Sequence, residues 1–314
     1  MNCRVDRTVY VQLTERELYH LIINGSNPNE KLRSALNIVK DVFETAGKEL
    51  QIHETEFKGH AKNIVSSLTE NGEFTHLIAM GGDGTLHEVL NGIKDVENCT
   101  LGLIPVGSGN DFAKTCGIST NVKEAAETIA FRAPSPIDFI ETVTGLRSIN
   151  AIGAGIDVDT TIRAYAGKKR GRRMYASAFL KSVRKYRPTR FKASWDDGEE
   201  REYNGFIACL GNGKQFGGGI KICPEARIDD GYIDLLIVNY VSRVKILSAL
   251  IKLSAGKIHK IKEATYVRCK SVKITPLSDT LPPIQAEGEI YYDHPLDARI
   301  VAGKLKFYLP RNKD

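Results

Sequence analysis

A chain of 314 residues is long enough for about two domains, and its mix of 42% hydrophobic and 26% charged residues excludes wholesale disorder. No run approaches the roughly 18 apolar residues of a membrane span, and the polar start MNCRVDRTVYVQLTEREL has no signal-peptide core. Six scattered cysteines without a CxxC pair and seven histidines without ligand spacing argue against a disulfide scaffold, a zinc ribbon or a transition-metal centre. Reduced thiols in the cytoplasm fit better.

Along the chain, His20–Asn24 predicts a short buried strand ending in the turn Asn24-Gly25-Ser26-Asn27-Pro28. Leu32, Leu36, Val39, Phe43 and Ala46 then share one helix face, stopped by Gly47. Strand spacing returns at Leu50–Glu56, helical spacing at Ala61–Leu68, and a buried strand at His76–Met80 runs into glycines. A helix over Thr85–Ile93 and a strand over Leu101–Ile104 complete a βαβα rhythm, which predicts a parallel, Rossmann-like sheet covered on both faces. Beyond Pro134 and Pro136 the segments become mainly β: Ile137–Val143, Ser148–Ile152, Phe191–Trp195, Tyr203–Leu210, Tyr232–Val238, Tyr266–Ile274, Ile284–Ile290 and Ala298–Tyr308. An antiparallel β-sandwich is the expected architecture of this half, with helix only in a basic run and at Ser242–Ala255.

The net charge of +6 is uneven: residues 163–192 hold twelve Lys/Arg and no Asp/Glu, and without them the chain would stand at −6. Such a patch attracts polyanions, either nucleic acid or anionic headgroups. Tyr175, Phe179, Val183 and Tyr186 have helical spacing within it, so a basic amphipathic helix and a solvated helix packed on its own domain are equal readings.

The strongest chemical signal is Gly81-Gly82-Asp83-Gly84-Thr85, where a buried strand passes through three glycines into a helix. That geometry brings backbone amides and a positive helix end close to a phosphate, although a tight turn capped by Asp or Thr would look the same. Pro105–Ala113, with Gly107, Ser108 and Gly109, forms a second strand-to-helix loop that a parallel sheet can set beside the first. Neither loop is a Walker A or a GxGxxG motif.

GGDGT followed by Glu88, Asn91 and Gly92, and then PxGSxNDFA, resembles the diacylglycerol kinase and sphingosine kinase superfamily, most of all its bacterial soluble lipid kinases. The resemblance continues through Thr55–Ala61, Asn150 with Gly153 and Gly155, Gly211–Gly213, Gly217–Gly219, Pro224–Gly231 and Glu287-Gly288-Glu289. It implies an ATP-binding α/β domain at 18–138, a lipid-facing β-sandwich at 139–300 and a final segment, 301–314, returning to the first domain. By position, Asn24, Gly25, Thr55, Gly81, Gly82, Asp83, Gly84, Thr85, Leu86, His87, Glu88, Gly107 and Ser108 would hold ATP. Asp83 would organise a catalytic Mg²⁺ through water, and Glu289 would take the proton of a lipid hydroxyl. A structural Mg²⁺ would fall on the Asp230 carboxylate with the carbonyls of Arg227 and Tyr232. Asp83, in a phosphate loop, would contribute little to packing.

Three positions depart from the family pattern: Glu287 replaces an Asp, His60 an acidic residue, and Asn24-Gly25 an Asn-Pro turn. The implied activity is phosphorylation of a membrane lipid, diacylglycerol or a related lipid alcohol, by a cytoplasmic enzyme that visits anionic membranes through residues 163–192. A homodimer is compatible with this, and no nucleic-acid recognition motif accompanies the patch. The competing readings are a catalytically weak nucleotide-binding adaptor of the same fold and an NAD kinase, which also uses GGDGT.

Overall fold

The computed structural model describes residues 17–25, 30–166, 172–217, 219–240, 242, 245–246, 248–249, 252 and 256–311. Its first half alternates β1 (Leu18–Asn24), α1 (Glu30–Thr45), β2 (Glu49–Thr55), α2 (His60–Leu68), β3 (Thr75–Gly81), α3 (Asp83–Gly92), β4 (Cys99–Pro105), α4 (Asp111–Cys116) and α5 (Val122–Phe131). The strands lie in the order β2-β1-β3-β4, all parallel. Apolar runs buried on both faces produce this: Leu77, Ile78, Ala79 and Met80 are wholly inaccessible, as are Val39 and Phe43 of α1. The connections cross from one side of β1 to the other after β2. The carboxyl ends of β1 and β3 therefore flank the topological switch point, where open α/β sheets bind ligands.

The second half contains β5 (Ser135–Thr142), β6 (Arg147–Ser148), β7 (Ala151–Gly155), α6 (Ile156–Tyr165), α7 (Arg172–Lys185), β8 (Thr189–Trp195) and β9 (Arg201–Gly211). It continues with β10 (Ile233–Asn239), β11 (Ala264–Cys269), β12 (Ser271–Pro276), β13 (Ile284–Ala286), β14 (Glu289–Tyr291) and β15 (Leu296–Phe307). Pairing among these strands is antiparallel. β15 pairs with β12 and β5, and its last residues, Lys306 and Phe307, run parallel to Thr100 and Leu101 of β4. One core fills the first half and takes in Leu305, Phe307 and Tyr308. A second lies within the β-rich half, and a third separates β9 and β10 from the helices that cover them.

Three segments expected as single strands are divided, each by a polar group. At Ser148–Ile152 the chain breaks at Asn150, whose amide donates to the Glu287 carboxylate and whose carbonyl accepts from Asn212 and Gly213. Tyr266–Ile274 bends where the Asp196 carboxylate accepts the amides of Lys270 and Ser271. Ile284–Ile290 is a tight hairpin, β13–β14, turning at Glu287 and Gly288 with φ of 52° and 85°. Both central residues are left-handed, as a two-residue hairpin turn demands. Of the helix expected at 242–255, residues 245–246, 248–249 and 252 are helical and most of the others lie outside the described residues.

Candidate active site between the glycine loops and a β-hairpin

Three ends of the parallel sheet meet at the switch point. Gly25, just after β1, donates its amide to the Thr55 carbonyl at 3.0 Å, closing the ends of β1 and β2 together. The β3–α3 and β4–α4 loops touch through glycine. A Cβ on Gly107 would stand 2.5 Å from the Gly82 Cα, and one on Gly81 would stand 2.3 Å from the Thr85 hydroxyl. These two glycines therefore serve loop-to-loop and loop-to-helix packing. Gly84 is different: the nearest atom to a Cβ there is the Glu289 Oε1, 3.9 Å away. The N-cap of α3 is Gly82, which has no side chain to bond the first-turn amides, and Glu289 stands beside that turn. A helix end of this kind suits an anion.

Asp83 does more for the fold than its motif suggests. Its two carboxylate oxygens accept the amides of Asp111 and Phe112, each at 3.1 Å, at the start of α4. The N-cap of α4, Asn110, is left-handed (φ 53°) and makes no side-chain cap of its own; its amide group bonds the Gly107 carbonyl instead. Asp83 thus caps a helix 28 residues away, and the expectation that it contributes little to packing is corrected. Each of its oxygens retains a lone pair, and its charge is felt at the nearby Glu287 carboxyl. Hard oxygen donors of this kind suit a Mg²⁺ held through water.

The rest of the GGDGT helix ties the cleft to its surroundings. Leu86 and His87 are buried, so neither side chain reaches the cleft, and Leu86 belongs to the first core. His87 Nε2 meets the Tyr291 hydroxyl of β14 at 2.5 Å, and burial lowers its pKa to about 4, leaving a neutral imidazole at physiological pH. Glu88 accepts the Gly59 amide at 2.9 Å and pins the loop after β2. Asn91 grips the backbone of Arg147 at both ends, accepting its amide at 2.9 Å and donating to its carbonyl at 2.8 Å. Gly92 lets α2 approach, since its Cβ would stand 2.6 Å from the Lys62 carbonyl. Ser108 is exposed at the rim, Asn24 is exposed at the end of β1, and Thr55 is buried. At the variant position His60, the imidazole accepts the Glu56 amide and stacks on Phe57 with ring centroids 4.5 Å apart.

Opposite this edge stands the β13–β14 hairpin. Glu289 is its first residue after the turn and forms an ion pair with Lys58 from the loop after β2. Glu287 turns inward, where one oxygen accepts the Ser148 hydroxyl at 2.6 Å and the Asn150 amide at 2.7 Å. Withdrawal of that carboxyl from water pushes its pKa up to about 7, with the charge of Asp83 adding to the rise. The longer side chain of Glu287 reaches three donors through one oxygen, the third being the Ala151 amide at 3.3 Å. Tyr291 is raised to about 12 by burial and by the neighbouring Glu289, Glu88 and Glu287.

The turn holding Arg227, Asp230 and Tyr232 is tied down by contacts of its own. One Asp230 oxygen is already paired with the Arg268 guanidinium and the other accepts the Tyr232 amide at 3.1 Å. Arg227 reaches Asp229 at 3.5 Å. What anchors the turn is buried Asp138, which accepts the amides of Gly231 at 2.6 Å and Gly303 at 2.7 Å. Sequence reasoning missed Asp138 because both partners are more than ninety residues away.

Comparisons with known proteins bear on the fold and the family. Residues 19–142 match the diacylglycerol kinase catalytic domain, and residues 150–309 match the YegS C-terminal NAD kinase beta sandwich-like domain. The chain belongs to the diacylglycerol kinase and YegS family of lipid kinases. The "Probable lipid kinase YegS-like" of Xanthomonas oryzae is 30% identical over 94% of this chain and 96% of its own length. The "Diacylglycerol kinase" of Bacillus subtilis is 30% identical, covering 81% of this chain and 84% of its own. A crystal structure of a diacylglycerol kinase from Bacillus anthracis superposes with a TM-score of 0.75 at 24% identity, over 95% of this chain and 98% of that one, and so shares the fold. Among the described residues, no helix is long and apolar enough to cross a membrane.

Proposed function

We propose that this lipid kinase transfers the γ-phosphate of ATP to the hydroxyl of a membrane lipid, with diacylglycerol the first candidate and other lipid alcohols next. One observation supports it above the rest: the Glu289 carboxylate lies 3.9 Å from the Cβ position of Gly84, at the open N-terminus of α3. The phosphates would sit against that helix end, flanked by Asn24, Gly25 and Thr55 on one side and Gly107 and Ser108 on the other. Bound ATP would supply the phosphoryl group, and bound Mg²⁺ would neutralise the charge that develops on it. Asp83 would hold the ion through water, while it keeps the two loops in register. Glu289 accepts the proton of the attacking hydroxyl, and its ion pair with Lys58 turns the carboxylate to the cleft. Residues 18–138 form the nucleotide-binding unit in this reading. Residues 139–300 present the acceptor, and the segment after 300 ties the second unit to the first through Lys306 and Phe307.

A lipid acceptor also requires a surface that meets the bilayer. The apolar stripe of α7 is committed inward: Phe179, Val183 and Tyr186 pack on the third core. Its outer face carries exposed Lys181, Arg184 and Lys185, with Leu180 57% exposed among them and Arg187 exposed just beyond. Arg163, Arg190 and Lys192 pair with Asp159, Glu202 and Glu200, whereas these four cations meet no carboxylate among the described residues. We assign this outer face to reversible contact with anionic headgroups. Lys168, Lys169 and Arg170 lie outside the described residues. A labelled-ATP transfer assay over vesicles of diacylglycerol, phosphatidylglycerol and a sphingoid base tests the reading. One lipid phosphorylated in a Mg²⁺-dependent manner supports it, and ATP binding without transfer to any lipid favours the adaptor.

A further inference from the structure

Behind the hairpin that carries Glu289 lies a second polar assembly, drawn from three separate elements. Asp157, in the first turn of α6, is 7% exposed. Its Oδ2 accepts a hydrogen bond from Gln285 Nε2 at 3.3 Å, and its Oδ1 is buried with no hydrogen-bond partner. Gln285, on β13, is 2% exposed, and its Oε1 accepts the amide of Gly288 at 2.9 Å. Gly288 is the last residue of the turn, immediately before Glu289.

The third element is β7. Gly153 pairs across the sheet with Gln285, and a Cβ on it would stand 1.8 Å from Asp157 Oδ2 and 3.0 Å from Gln285 Nε2. Only glycine admits the carboxylate to that place. A buried carboxylate with an unsatisfied oxygen is costly, and a glycine inside a strand adds to the cost. An apolar residue would fill the same space more cheaply. The turn it supports is itself unfavourable, because Glu287 adopts a left-handed backbone that a side chain disfavours. The Glu287 carboxylate holds one half of that turn through Ser148 and Asn150, and Gln285 holds the other half through the Gly288 amide.

We propose that Asp157 and Gln285 are positioning residues for phosphoryl transfer: through the Gly288 amide they set the height and direction of the turn, so that the Glu289 carboxylate meets the acceptor hydroxyl beside the N-terminus of α3. This rests on the reading of Glu289 as the proton acceptor. Gln285 must donate to Asp157 and accept from Gly288 at once, which fixes the orientation of its amide. Polarity, rather than volume, is what the pair contributes.

That polarity can be inverted. Q285E keeps an acceptor for Gly288 but turns a second carboxylate toward Asp157. In D157N/Q285E, the new side-chain amide donates where Asp157 accepted, and the pairing is restored with its direction reversed. The experiment, run at about pH 8 so that Asp157 is ionised, measures lipid-kinase kinetics and Gly288 amide exchange by NMR for the wild type, Q285E, D157N/Q285E and Q285L, with melting curves to confirm folding. Q285E and Q285L are expected to lose about tenfold to a hundredfold in kcat, the scale of a small misplacement of a reacting group, with KM for ATP unchanged. Both should speed Gly288 exchange, and the double variant should recover both readouts. Wild-type kcat in Q285E, or a loss that D157N does not rescue, overturns the proposal. A wild type that transfers phosphate to no lipid, with Gly288 exchange still responding to Q285L, overturns the reading of Glu289 instead and the catalytic role of the pair with it.

Discussion

The two walls of the cleft are held by different means. On the parallel-sheet side, glycines let backbones touch, Gly82 against Gly107 and Gly81 against Thr85, and one carboxylate, Asp83, fastens one loop to the next helix. On the hairpin side the backbone is in an unfavourable conformation, and buried polar side chains keep it there: Glu287 on Ser148 and Asn150, and Gln285 on Gly288. The first wall is shaped by what is missing from its side chains, the second by what its side chains bond. A substitution should therefore fail sterically on the first wall and electrostatically on the second.

Removing Asp83 breaks this contrast most severely, because it combines chemistry with structure. D83A is expected to abolish Mg²⁺-dependent transfer and also to cost about 1–2 kcal/mol of stability, the usual loss when a helix cap is removed. Paired activity and melting measurements check it, and an inactive D83A with wild-type stability would show that the cap on α4 is unimportant. G107A comes next. With a methyl forced to within 2.5 Å of the Gly82 Cα, the loops must part, and nucleotide affinity should fall at least as steeply as kcat. Calorimetric titration with ATP measures this.

The outer surface sets a smaller scale. Replacing Lys181 and Arg184 by Gln removes two charges worth about 1 kcal/mol each near an anionic bilayer, so vesicle binding should weaken roughly thirtyfold at low salt. The difference should shrink as salt rises. Sedimentation with vesicles of graded anionic content reads it, and turnover of a short-chain soluble acceptor should change little.

A further effect is on pH-dependent stability. Burial raises the Asp157 pKa from 3.8 to about 7. Between those two values the folded state holds a proton that the unfolded chain has released, so stability falls as pH rises through this window and levels off above about 7. Tyr186 and Cys209 lie within electrostatic reach of the carboxyl and stay neutral there, their own pKa values being raised. D157N removes this slope. Its Tm should gain on the wild type by a few degrees between about pH 5 and about pH 8, leaving the part due to Glu287. Parallel melting curves for the two proteins would refute the assignment.

The same contrast explains which parts of the molecule were legible in the sequence. The parallel sheet and its glycine loops are local signals: apolar runs such as His76–Met80 end in the very residues that form the loop, so strand, turn and helix can be read within fifteen positions. The hairpin was not legible as a hairpin. Ile284–Ile290 alternates like one continuous strand, and nothing within it announces that Glu287 would turn inward to bond residues some 140 positions earlier. The bonds that Asp83 and Asp230 make were hidden for a related reason. Their partners, the amides of α4 and the guanidinium of Arg268, lie 28 to 38 positions away, and spacing carries no record of them. The inward stripe of α7 was visible as a period, but the surface it packs on was not.

The central claim is that Glu289 acts on the acceptor and leaves nucleotide binding to the other wall. The direct measurement compares wild type and E289Q for ATP affinity and for transfer to the lipid that the wild type phosphorylates. E289Q should bind ATP as the wild type does and lose about 10²–10⁴-fold in kcat, the range for removal of a general base. Undiminished kcat in E289Q would contradict the account.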